Sequence, residues 1–388
     1  EERLVKSVFF VFSKEGNVVR SKITESVILS DKRLTYEQAS LFLKEDELEK
    51  IKSAKPPPSR YSGNPGKLLN EIPDNLLRDL QVNIRKIASI ARVLRAERMK
   101  KGSLDLESTE VKILVDQKGE PEEILQSESD ESHHMIEEFM LLANRRVATF
   151  IGKPEPNKLV IPFLYRTHDE PNEEKIADLK IFLDQFGYKI QQVKNKPISF
   201  ALNTVMEEAK VKDELHIIGP MVIRSMSKAI YETDNIGHYG LAFDYYSHFT
   251  SPIRRYADLL VHRVLFEKLN NRNYYGSKEL GAQCKHISAT EKEASSAERS
   301  STKYMQVKFM SDKIGQSFEG KITGVTDFGL FVELNETKCE GLIHVSTLQG
   351  NFSLNDKTKR LESYQTGESF HLGQGINVIV KNTDIFKK

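Results

Sequence analysis

The sequence predicts an α+β protein in two parts: a mixed region of many helices and a few strands over residues 1–314, then a small closed all-β barrel over residues 315–388. The first observation behind this is period. Apolar residues recur at helical spacing in long stretches as far as Met310, broken by short alternating runs. The second is the change after Ser317, where Phe318, Ile322, Val325, Phe331, Val332, Leu342 and Ile343 mark short strands separated by glycine turns. The third is length, since 388 residues make two or three domains that can each bury a core.

Taken in order, Val8 to Ser13 and Val18 to Leu29 read as strands joined at Lys14-Glu15-Gly16-Asn17, where Gly16 and Asn17 tolerate positive φ. A helix follows Thr35, which is placed to cap it with Gln38 three residues on. Pro56-Pro57-Pro58-Ser59 and Gly63-Asn64-Pro65-Gly66 mark an irregular surface stretch. Ile84, Ile87, Ile90 and Leu94 then form the apolar face of a long helix that carries Arg85, Lys86, Arg92, Arg95, Arg98, Lys100 and Lys101 and ends at Gly102. Val111 to Val115 and Glu123 to Leu125 flank Lys118-Gly119 as a hairpin. Asp130 to Ile151 is a helix with Met135, Phe139, Leu142, Ala143 and Val147 on one side, and Lys175 to Phe186 is another, ended by Gly187. Helices over Pro252 to Leu269 and Ser277 to Met310 complete this region; no internal repeat or low-complexity tract is present.

Composition narrows the class. With 39% hydrophobic residues the chain is too apolar for disorder, while a mean hydropathy of −0.46 and short apolar runs leave no membrane span. Two cysteines, Cys284 and Cys339, are too few for a disulfide framework and fit a reducing cytoplasm, and neither has the His and acid company of a nucleophile. The first residues lack both a signal-peptide core and an initiator Met, so the chain reads as a fragment. Lys and Arg total 57 against 56 Asp and Glu, a net charge of +1. That balance excludes a uniformly basic coat, though not a local basic channel offset by acidic helices elsewhere.

The most informative segment is Ser251-Pro252-Ile253-Arg254-Arg255-Tyr256. A Ser cap and Pro at the first helical position start a helix, and Arg254 and Arg255 in its first turn would join the unpaired N–H groups in a phosphate site. The competing reading is an ordinary i,i+4 pair of Arg254 with Asp258. The approach through His238, Tyr239, Tyr245, Tyr246, His248 and Phe249, rich in rings and hydroxyls, suits stacked bases and sugar-phosphate contacts and favours the phosphate reading.

Other candidates are weaker. His134 and Glu138 have a chelating i,i+4 spacing, but a first helical turn with acidic residues facing solvent explains them better, so no metal site is assigned in this chain. Glu137 could still line a groove. Glu298 lies in a polar helix and taken alone reads as a solvated face. In the barrel, half of the alternating aromatics are core, and the rest, Phe328 and Phe331 with Lys321 and His344, would form a stacking platform for a single strand.

The segment His238 to Arg263, HYGLAFDYYSHFTSPIRRYADLLVHR, strongly resembles the catalytic signature of the ribonuclease R and ribonuclease II (RNB) family, and the stretch from Gly315 resembles an S1 RNA-binding domain of OB fold. Leu34 to Glu37, Gly102 to Glu107 and Ile136 to Asn144 match as well, so the resemblance covers nearly the whole chain in order. It implies an RNB-type catalytic domain over residues 1–314 and an S1 barrel over 315–388. It further implies a cytoplasmic, monomeric, metal-dependent exoribonuclease that degrades single-stranded RNA processively from the 3′ end to nucleoside monophosphates, with RNA-decay machinery or the ribosome as a further partner. Carried over residue by residue, Arg254 would hold the scissile phosphate, with Arg255 beside it on the RNA. Tyr36 and Glu137 would distinguish ribose from deoxyribose, and Glu298 would lie near the 3′-terminal nucleotides.

Two departures qualify the resemblance. Where the family stacks a terminal base on an aromatic ring, this chain has Leu106, and the family's aspartate cluster, Gly-x-Asp-Ala-x-Asp-x-Asp-Asp, is absent from the 388 residues. Binding of Mg²⁺ needs several converging carboxylates, so its ligands are expected upstream of residue 1 and the chain is expected to be inactive alone. At the other end, Asn377 to Lys381 reads as a point where the last barrel strand should start, as though the chain were cut there too. The alternative is a non-catalytic RNA-binding protein of the same fold that lacks the acidic site by nature.

Overall fold

The computed structural model describes residues 1–54, 68–105, 110–127, 129–154, 156, 161–212, 214–272, 276–355 and 358–385. The proline-rich and glycine-rich stretch at 56–66 lies outside the described residues, as does Leu106. The chain forms two compact units, one of residues 1–105, 129–170 and 227–291, the other of residues 106–128, 171–226 and 292–388. Among the described residues no helix is long and apolar enough to cross a membrane.

In the first unit β1 (Glu2–Phe12) and β2 (Val18–Leu29) form an antiparallel hairpin in register from Glu2 opposite Leu29 to Phe12 opposite Val18. The turn closes with the Ser13 N–H donating to Asn17 O at 2.8 Å and Gly16 at φ +88. The expected capping box is present on α1 (Tyr36–Lys44): Thr35 accepts from the Gln38 N–H, and Gln38 accepts from the Thr35 N–H. After α2 (Leu48–Ser53) comes α3 (Asp74–Lys100), whose Leu77, Ile84, Ala88 and Ala91 are buried with Phe42, Ile51 and Met135 in one cluster. Fully burying a side chain such as Phe42 contributes about 1.5–3 kcal/mol.

The larger core of this unit gathers α4 (Glu131–Gly152), β5 (Tyr165–Thr167), β6 (Ile230–Glu232), α8 (Tyr256–Leu269) and the first half of α9 (Ser277–Ser311). Val147, Ala148, Ile151, Leu164, Tyr231, Phe249, Leu260, Val261, Val264 and Leu280 are all buried there. Strands β5 and β6 pair antiparallel, Tyr165 opposite Glu232. This core is the floor beneath the loop from His238 to Arg255.

The second unit contains the hairpin β3 (Glu110–Val115) and β4 (Pro121–Ser127), the helices α5 (Glu173–Gln185), α6 (Ile198–Val211) and α7 (Leu215–Ser225), the second half of α9, and the C-terminal strands. The glycine expected after α5 is in place, Gly187 at φ +77. Strands β7 (Ser317–Thr326), β8 (Gly329–Leu334), β9 (Glu340–His344) and β13 (Gly375–Ile379) make one sheet in the order β13-β7-β8-β9. Strands β10 (Phe352–Asn355), β11 (Arg360–Ser363) and β12 (Ser369–Phe370) make another. The two share one core of Ile322, Leu330, Val332 and Leu361 with Phe352, Leu354, Phe370 and Ile376, so the barrel is built from two sheets. Residues 375–379 are themselves a barrel strand paired with β7, not the approach to one.

The hairpin β3-β4 is part of the packing around these strands. Ile124 shares a buried cluster with Met310, Leu334 and Cys339, and Gln126 Nε2 donates to the carbonyls of Asn335 at 2.7 Å and Glu336 at 2.9 Å.

Candidate functional site

The loop from His238 to Arg255 is fixed at many points because its backbone polar groups are met by side chains from distant elements. Gly240 N–H donates to His168 Nδ1 at 2.9 Å, and a Cβ on Gly240 would also stand 2.9 Å from that nitrogen, so only glycine fits. Asn144 of α4, almost fully buried, accepts from the N–H groups of Phe249 and Thr250 at 2.9 and 3.2 Å and donates to Tyr246 Oη at 3.2 Å. His262 of α8 donates from Nε2 to Phe249 O at 2.9 Å and stacks on the Phe249 ring, centroids 4.5 Å apart.

The start of α8 differs from the expectation. The helix begins at Tyr256, not Pro252; Arg255 is its N-cap in extended conformation, φ −127 and ψ 111. Residues 251–254 form a turn in which the N–H groups of Arg254 and Arg255 donate to Ser251 O at 3.3 and 3.0 Å. The reason is Asp258. Its carboxylate, fully buried, accepts from the Ser251 N–H at 2.7 Å and from Arg255 Nε and Nη2 at 2.6 and 2.9 Å, which draws the preceding residues out of the helix. The ion pair read as Arg254 with Asp258 therefore belongs to Arg255. Arg254 itself is exposed, and its guanidinium has no partner among the described residues. The two arginines thus divide: Arg255 locks the turn and Arg254 is presented by it.

Of the upstream rings that suit stacked bases, Tyr246 and Phe249 are buried, as is neighbouring Phe243. They pack against the histidines of the loop: His238 meets Tyr246 edge-on at 5.2 Å, and His168 lies 5.0 Å from His238. Burial, then the charges of His168 and Arg166, pushes His238 down to about 3. Burial also lowers His168, and it raises the Tyr231 and Tyr246 hydroxyls, so both tyrosines stay neutral.

A second cluster lies at the start of α4 in the same unit. Tyr36 is exposed, and its ring stacks on His133 at 3.8 Å and 16°. Asp130 caps the helix; burial raises its carboxyl, but hydrogen bonds from Ser132, Ser40 and His133 outweigh this and leave it well below the usual carboxylate range. Glu137 is exposed and lies 3.6 Å from both Arg98 Nη2 and His134 Nδ1. Arg98 is buried with Glu138, bonded through Nε at 3.1 Å, and donates from Nη1 to Ser103 Oγ at 2.6 Å. Ser103 Oγ then donates to Gly240 O at 3.1 Å, which ties this cluster to the arginine loop. A cleft of about 220 Å³ opens beside it, lined by Asn17, Arg98, Lys101, Glu138, Arg145 and Phe243. Because Glu138 is spent on Arg98, the His134 and Glu138 pair is not a chelate. Among the described residues no group of three or more His, Cys, Asp or Glu could hold a metal ion.

In the second unit Glu298 is exposed on α9 and lines a groove of about 590 Å³ with Val111, Arg299, Thr302, Lys303 and Gln306. It is therefore not an isolated position on a convex face. On the barrel Leu330 and Val332 point inward, and Phe331 between them is turned to the outer face. Its ring meets that of exposed Phe328 edge-on at 6.0 Å, and Gly324 opposite leaves it room, since a Cβ there would lie 3.1 Å from the ring. His344 is exposed in register with Gly329, with Ser346 Oγ 2.8 Å from its Nδ1. Lys321 is half-buried in register with Glu333. Leu342, read as part of the apolar pattern, is exposed directly across from Phe331 and extends the ring surface.

Comparison with known proteins divides the chain along the sequence, and its first part draws on both compact units. Residues 1–271 match the RNB domain and residues 311–385 the S1 RNA binding domain. Over 383 residues the chain is 34% identical to ribonuclease R of Aquifex aeolicus (strain VF5), an alignment that covers 97% of this chain and 50% of that protein. Its structure is similar to the apo form of Mycoplasma genitalium RNase R, with a TM-score of 0.83 and 25% identity over 100% of this chain and 57% of the other. The same RNase R in complex with ribose methylated single-stranded RNA gives a TM-score of 0.82, again at 25% identity and the same coverage. The chain spans about half the length of the curated relatives it matches.

Proposed function

This chain belongs to the RNB family, and on that premise we propose that it forms the RNA-gripping part of a 3′-to-5′ processive exoribonuclease that hydrolyses single-stranded RNA to nucleoside monophosphates in RNA turnover. The observation that carries the reading is Arg254, an exposed guanidinium without a described partner on a turn that Asp258 and Asn144 hold in place. A cation presented on a backbone fixed in this way stabilises charge that grows on a phosphate during attack, and only its own side chain has to be ordered to do so. Arg255 serves the strand by keeping the turn, Tyr36 and Glu137 read the ribose, and Glu298 stands by the terminal nucleotides. The platform of Lys321, Phe328, Phe331 and His344 takes the incoming strand by stacking and charge. The functional division falls near residue 315.

RNB ribonucleases are generally dependent on divalent metal, and a metal would activate water and neutralise the leaving oxygen. The described carboxylates of this chain do not gather to hold one, and the aspartate pattern is absent from its sequence. This chain's own residues bind, orient and match charge. The reading is tested by giving the full-length protein and Mg²⁺ linear and circular forms of one labelled single-stranded RNA. The linear form is expected to shorten progressively from its 3′ end and the circle to survive. Cutting of the circle, or no cutting of either, contradicts it, and the second result favours a non-catalytic RNA-binding protein.

A further inference from the structure

Three residues before Ser251 stands a histidine to which the reaction above gives no role. His248 is half-buried, with Nδ1 2.6 Å from Tyr231 Oη. Its ring is set edge-on between Tyr231 at 5.7 Å and Tyr246 at 5.5 Å. Tyr231 in turn lies under the Arg166 guanidinium at 4.5 Å, and Arg166 Nη1 pairs with Glu291 of α9 at 2.6 Å. A chain of contacts therefore fixes the imidazole in place and in orientation.

The chemistry of that chain decides which ring nitrogen carries the proton. The Tyr231 hydroxyl has one proton and, among the described residues, no acceptor for it except His248. Assigning the shared proton to the tyrosine makes Nδ1 the acceptor and leaves the N–H on Nε2. Burial first, then the charges of Arg255 and Arg166, keeps the ring neutral, its pKa pushed down to about 2. Nε2 has no partner among the described residues and is not one of the buried polar atoms left unpaired, so it remains open to a ligand. Two hydroxyls of the same loop, Ser247 Oγ and Thr250 Oγ1, are buried without a described partner. The loop thus carries more hydrogen-bonding capacity than the chain itself uses.

Resting on the exoribonuclease reading, we propose that His248 donates a hydrogen bond from Nε2–H to a non-bridging oxygen of the phosphodiester that Arg254 grips, with Tyr231 and Arg166 as positioning residues that keep the ring in that tautomer. Arginine supplies charge to the phosphate; an uncharged imidazole adds a directed donor without binding the product more tightly by charge.

The test is fluorescence anisotropy of this chain with a short labelled single-stranded RNA whose last linkage is a phosphodiester or one of the two phosphorothioate diastereomers. His248→Ala is expected to weaken binding about tenfold, the scale of one hydrogen bond to a charged group. His248→Gln, which keeps an N–H at similar reach, recovers part of that loss and carries the test if the alanine variant melts early. Tyr231→Phe weakens binding, yet adds nothing in the His248→Ala background, a coupling that a merely structural tyrosine would not produce. The wild type distinguishes the diastereomers and His248→Ala does not. Wild-type affinity in His248→Ala while Arg254→Ala binds weakly would overturn this inference and leave the family reading standing. Discrimination that persists in His248→Ala, with the effect of that variant lost on a 3′-terminal deoxyribose, would move the contact to the sugar and overturn it too. If the chain binds no RNA at all, both readings fall.

Discussion

Arg254→Ala in the full-length protein is expected to lower kcat by about 10²–10³-fold, the usual cost of one donor that stabilises developing charge, with much less change in RNA affinity. The structure gives two reasons. The guanidinium is exposed and makes no hydrogen bond or ion pair among the described residues, so its loss is expected to leave the melting temperature nearly unchanged. The turn beneath it depends on Asp258 and Asn144, so the backbone stays in place when the side chain is removed. Arg254→Lys is expected to fall between the two, because it keeps the charge and loses the planar fork. Parallel kinetics and binding measurements decide the matter: equal losses in kcat and affinity would reassign Arg254 to general strand binding.

Asp258→Ala is expected to act in the opposite way, on stability first. The carboxylate is fully buried and takes three hydrogen bonds, from Ser251 N–H and from two nitrogens of Arg255. Removing it strands a half-buried guanidinium and a backbone N–H at once, a loss of about 3–5 kcal/mol on the scale of broken buried ion pairs. Urea unfolding should show a lower midpoint, read on the transition that reports the first unit. Asp258→Asn keeps the volume and one acceptor and should lose less. A midpoint matching the wild type would mean that Asp258 does not set the turn, and the division of labour between Arg255 and Arg254 would lose its basis.

How far the sequence reached depended on how local each cause is. The hairpin at Gly16, the capping box of Thr35 and Gln38, the helix from Asp130 and the change of period after Ser317 were all readable, since neighbours within a few residues decide them. The start of α8 was misread although its signals were genuine. Ser251 and Pro252 do favour a helix start, but Asp258, in the first turn of the observed helix, takes the Ser251 N–H and draws the start on to Tyr256. The supports of the loop left no signal of their own. Asn144, His168, Arg166 and Glu291 are ordinary residues by spacing, and Arg166 meets a partner 125 positions away. In the barrel the apolar pattern marks the strands but sets inward Val332 beside outward Phe331 and Leu342, because which face is covered depends on the second sheet and not on neighbours in sequence.

On the proposed function this chain grips single-stranded RNA, while among its described residues no carboxylates gather to hold a catalytic metal. The most direct measurement is to incubate the purified chain with 5′-labelled single-stranded RNA and Mg²⁺, following complex formation on a native gel and product length on a denaturing one. A shifted complex and RNA of unchanged length are expected; a processive ladder ending in short oligonucleotides would overturn the proposal.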